Sequence, residues 1–142
     1  MQATSRARRT TIAVATTVHQ VLGYVVVLIV LMAGVGGVVQ AREARPFLPR
    51  VYVIATLVLD VQVLGGLAIY LLGSYWGHDS LLVRLVHPAM ALLALAAAHV
   101  GLKRSRRRES NVSAHRTAAG GLLLALLAVL LAVAAVSAGL RV

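Results

Sequence analysis

The chain contains no cysteine, which excludes disulfides, thiolate metal sites and Fe–S clusters. Charge is scarce as well. Asp, Glu, Lys and Arg make up 13% of the residues, against about 25% in soluble domains, and only four residues are acidic. No Gly-rich phosphate loop, nucleophile elbow or HExxH pair occurs, so the chemistries those motifs announce have no foothold here. The apolar runs show no alternation with polar residues, which argues against a membrane β-barrel.

What remains is hydrophobic: 60% of the 142 residues, against about 45–50% in soluble domains. Four stretches, residues 11–39, 51–73, 81–102 and 118–140, each reach the roughly 20 residues that cross about 30 Å of hydrocarbon as a helix. Backbone polar groups must be paired inside lipid, so all four are read as transmembrane helices. The links Gln40–Arg50, Ser74–Ser80 and Lys103–Thr117 are short and force antiparallel neighbours. The expected fold is all-α, an integral-membrane up-down four-helix bundle forming a single transmembrane domain over residues 1–142. The run from Gly120 to Val136 is low in complexity and reads as packing material.

A formal charge of +10 raises the question of nucleic acid. The basic residues, however, concentrate between the hydrophobic runs, where topology and anionic lipid account for them, and the expected surroundings are the lipid bilayer with no nucleic-acid partner. One face carries nine of them, Arg42, Arg45, Arg50 and six between Lys103 and Arg116; the other carries five, Arg6, Arg8, Arg9, Arg84 and Arg141. The positive-inside rule then puts both termini outside, in a multi-pass arrangement in a bacterial or archaeal cell membrane. The Arg6–Arg9 stretch before an apolar run has the look of a secretory signal. The run continues to Val39, far beyond a signal core of roughly 7–15 residues, and is kept as a helix.

His19 and His87 lie roughly 12 Å and 9 Å below the outer ends of the first and third segments, which cross in the same direction and are diagonal partners. At one depth, each imidazole can give one nitrogen to the iron of a b-type haem and keep its other N–H for an acceptor. Gly23, four residues after His19, would let a porphyrin approach the backbone, and Arg84, three before His87, sits where a haem propionate would emerge. The alternative leaves both histidines hydrogen-bonded to backbone on neighbouring helices and Arg84 snorkelling to the headgroups. His99, twelve residues after His87, cannot share that iron; a second haem would pair it with His115, which otherwise reads as solvated among Ser, Asn and Arg. Asp60, the one carboxylate deep in the bilayer, is a candidate proton relay, quinone contact or imidazole partner, or else a protonated packing group. His78 and Asp79 read as solvated loop residues.

The segments His19-Gln20-Val21-Leu22-Gly23 and His87-Pro88-Ala89-Met90 resemble the histidine motifs of membrane cytochromes b and of haem A synthase half-bundles. The resemblance touches two helices and implies a four-helix unit that passes electrons, or that modifies or carries haem. The family's two-haem pattern uses two buried histidine pairs, whereas the fourth segment here is expected to hold no buried histidine. Electron transfer, alone or as a small subunit of a redox assembly with a redox partner protein or quinone, is therefore the expected function. One haem b at His19 and His87 is expected, with a second left open. The rivals are a cofactor-free membrane subunit or scaffold of a larger complex, and a small transporter with Asp60 on its path.

Overall fold

Hydrophobicity sets where the chain crosses the bilayer, and the polar flanks decide how far each helix runs beyond it. The computed structural model describes residues Gln2–Gly139, with side chains from Arg6 onward. Leu140 and Arg141, counted above in the fourth span and the basic tally, lie outside the described residues. Helix α1 spans Gln2–Arg42, α2 Pro49–Leu72, α3 His87–Ser105 and α4 Asn111–Gly139. Counting the π turn that leads into α3, all four are long and apolar enough to cross a membrane. The chain is an all-α, four-helix membrane bundle.

Two helices begin well before their hydrophobic runs. Nothing between Gln2 and Thr10 breaks a helix, and the hydroxyls of Thr10 and Thr11 donate to the carbonyls of Arg6 and Ala7, at 3.2 and 3.1 Å. Helix α4 opens at Asn111 because Ser110 caps it, its Oγ accepting the N–H of Ser113 at 3.2 Å. The first link is a helix stop followed by a helix start. Ala44 takes the left-handed conformation (φ 51°) while the Arg45 N–H donates to the Gln40 carbonyl at 3.1 Å, and Pro49 occupies the first turn of α2.

Helices α1, α2, α3 and α4 pack in cyclic order, and α1 and α3 stand diagonally without backbone contact among the described residues. Small side chains make up much of the interior, around a few large ones such as Leu59 and Leu122, and most leucines face outward. On α4, Ala118, Ala125, Ala128 and Ala132 are buried while Leu124, Leu127 and Leu130 are exposed. Burying leucine gains little between helices when lipid is equally apolar, so close backbone approach supplies the contact energy instead. The closest approach is at Gly101 and Gly121, where a Cβ on either residue would come within 2.7 Å of the other's Cα. Gly34 likewise makes room for Leu123 between α1 and α4.

The entry to α3 has its own cause. Pro88 has no N–H to give the Arg84 carbonyl four residues earlier, and the chain passes through a π turn over Leu82–Val86, closed by the His87 N–H donating to the Leu82 carbonyl. The orphaned Arg84 carbonyl accepts the Tyr70 hydroxyl instead, at 2.9 Å. The wider turn shifts the register by one residue and so sets the direction in which His87 leaves the helix.

Candidate functional site

The polar side chains inside the bundle form three stations along its length. Nearest the terminal face, His19 on α1 meets Gln62 on α2. The Gln62 amide donates to the His19 carbonyl at 2.8 Å and lies 3.1 Å from Nδ1 and 3.4 Å from Nε2. One amide with two hydrogens can serve the carbonyl and one ring nitrogen together. Gly66 forms the notch for this ring, since a Cβ there would come within 2.7 Å of His19 Cε1. Gly23, on the same face of α1 as His19, is covered by the Gln62 side chain, with Nε2 3.1 Å from where its Cβ would stand.

His87 on α3 is anchored differently. Its Nδ1 lies 3.0 Å from the Ala132 carbonyl on α4. A carbonyl only accepts, so Nδ1 carries the proton and Nε2 keeps its lone pair. Arg84 is half-buried, and it is its backbone carbonyl that is fixed, by Tyr70.

At the middle station, Asp60 on α2 and His99 on α3 are joined by a 2.8 Å contact between Oδ1 and Nε2. His99 is 52% exposed and Asp60 22%. The pair lies in a groove of about 310 Å³ between α2 and α3, with Lys103 and Arg106 at its polar end.

The third station lies toward the basic face and overturns an expectation. His115, read above as solvated, is 0% exposed, and the fourth helix does contain a buried histidine. The reason is tertiary: the Pro46–Phe47 segment of the first link folds beneath the start of α4, with the Phe47 N–H donating to Asn111 Oδ1 at 3.1 Å. His115 Nε2 donates to the Pro46 carbonyl at 3.3 Å, and its Nδ1 accepts the Tyr52 hydroxyl at 2.6 Å. Phe47 stacks on Tyr52 at 5.5 Å and meets His115 edge-on at 5.1 Å. Both imidazole nitrogens are satisfied, and His99 and His115 are held by different partners.

In the second link, His78 Nδ1 accepts the Ser80 N–H at 3.1 Å and Asp79 is exposed. Among the described residues, no three His, Asp or Glu side chains converge as metal ligands. A haem between α1 and α3 would find His87 suited to axial ligation, with an anchored Nδ1–H and a free Nε2. His19 is engaged by Gln62, whose amide nitrogen lies within 3.4 Å of both ring nitrogens, so an iron there would have to displace it.

Tyr52 and Tyr70 carry roles that sequence reasoning missed. Pro88 is the signal from which Tyr70 could have been found, since a proline inside an apolar helix leaves a carbonyl in need of a donor. Tyr52 announces itself only through its position near the start of a helix. Neither the protein-family models, nor the curated proteins, nor the solved structures contain a match to this chain.

Proposed function

We propose that the chain is a cofactor-free membrane subunit, a bilayer-spanning scaffold that works within a larger assembly. One observation carries this reading: all four histidines of the spanning helices are engaged as ties between elements. His19 joins α1 to α2, His99 joins α3 to α2, His87 joins α3 to α4, and His115 joins α4 to α2 and the first link. Interhelical hydrogen bonds of this kind hold membrane bundles together at about 0.6 to 1.7 kcal/mol each. Leu59, Ala94, Ala98, Leu122 and Ala125 fill the core, and Asp60 lines a lateral groove instead, which supports a scaffold over a small transporter. The outward Val61, Leu64 and Leu124 offer partner helices the same apolar surface they offer lipid.

A second reading, a haem b between His19 and His87 in an electron-transfer subunit, is favoured by the free Nε2 of His87. It requires Gln62 to release His19. Protein purified in mild detergent from haem-replete cells separates the two. A scaffold gives a preparation without a Soret band that carries other membrane polypeptides in fixed ratio. A Soret band that sharpens on reduction overturns the cofactor-free reading, and a chain that emerges alone overturns the assembly.

A further inference from the structure

The groove between α2 and α3 joins features that scaffolding alone does not use. Its walls include the apolar Leu57 and Leu102, its midpoint is the Asp60–His99 pair, and its mouth toward the basic face carries Lys103 and Arg106. The contact uses Nε2 of His99 and leaves Nδ1 without a partner among the described residues, while the ring is 52% exposed. Lys103 and Arg106 put two positive charges at the mouth of the groove.

We propose that this groove binds one anionic phospholipid of the surrounding bilayer. The phosphate is held by Lys103 and Arg106, an acyl chain lies along Leu57 and Leu102, and an ester carbonyl accepts the His99 Nδ1–H. A quinone head would satisfy His99 and leave both cations unused. An unmodified bilayer surface would use the cations and leave His99 unpaired.

Native mass spectrometry of the purified protein, titrated with phosphatidylglycerol or phosphatidylcholine, tests this. One phosphatidylglycerol should be retained in preference to phosphatidylcholine. The double variant K103Q/R106Q should weaken that binding about tenfold or more, from about 1 kcal/mol per basic residue near an anionic headgroup. Arg116→Gln, an exposed charge on the same face outside the groove, should leave it unchanged. His99→Leu should weaken binding and His99→Gln, which keeps a donor, should retain it. Equal binding of the two lipids, an equal loss in Arg116→Gln, or equal affinity in the two His99 variants would each overturn the proposal.

Discussion

The hydroxyl of Tyr70 donates to the backbone carbonyl of Arg84 at 2.9 Å, and it does so because Pro88 has removed the N–H that would otherwise serve that oxygen. A tyrosine on α2 thereby stabilises the π turn that aims His87, and α2 is fastened to the entry of α3 through the backbone.

Tyr70→Phe should therefore destabilise the bundle by about 1 kcal/mol, the cost of an unsatisfied carbonyl offset by partial relaxation in lipid. In a Pro88→Ala background the helix regains its own donor, so the same Tyr70→Phe change should cost little. A double-mutant cycle on unfolding in mixed micelles measures the coupling; additive effects would show that the hydroxyl is not replacing the missing N–H.

Close packing of α3 on α4 makes a second prediction. Gly101→Ala and Gly121→Ala each place a methyl group within 2.7 Å of the other glycine's Cα, and should destabilise by about 1–3 kcal/mol through forced separation of the helices. Gly36→Ala meets nothing within 4 Å and should be neutral or slightly stabilising, since alanine is the better helix former. Thermal unfolding of the three variants in one detergent gives the comparison.

Spans, antiparallel order and the diagonal relation of α1 to α3 were all readable, because each follows from run length, link length and the bilayer's thickness. The small-residue character of α4 also pointed to its central packing role. Burial of His115 was not readable. Its local sequence, Asn-Val-Ser-Ala-His-Arg, is interfacial in every respect, and only the folding of Pro46 and Phe47 beneath it, about seventy residues earlier, removes it from water. The partners of His19 and His87 were hidden for a related reason. Depth along a helix can be counted from the sequence, whereas rotation of one helix against its neighbour depends on features such as the notch at Gly66 and the π turn before His87.

Orientation is checked by labelling. The nine basic residues in the α1–α2 and α3–α4 links and the helix ends that flank them, against five on the other face, predict those links in the cytoplasm. Asp79 and Glu109 are both exposed and lie on opposite faces. In intact cells an impermeant thiol reagent should modify Asp79→Cys and spare Glu109→Cys until the membrane is opened; the reverse pattern would invert the molecule while leaving every internal relationship unchanged.

The tie between His19 and Gln62 gives the sharpest separation of a structural histidine from a ligand. If the imidazole serves to join α1 to α2, His19→Leu removes the ring contact and leaves Gln62 its bond to the residue 19 carbonyl, whereas Gln62→Leu removes both; each should cost about 0.6 to 1.7 kcal/mol, with Gln62→Leu the larger. The double variant should cost about as much as Gln62→Leu alone, because the ring's tie to α2 is the amide which that substitution already removes. Gly66→Ala should mimic His19→Leu, since a methyl group there displaces the ring from its notch. A histidine that ligates haem behaves in the opposite way toward its neighbour. His19→Leu would then abolish a low-spin spectrum, while Gln62→Leu, by freeing the ring nitrogens, would strengthen or preserve it. Unfolding free energies and visible spectra of the three single variants and the double variant, taken beside the parent protein, decide between a polar bond that holds two helices and one that competes with an iron.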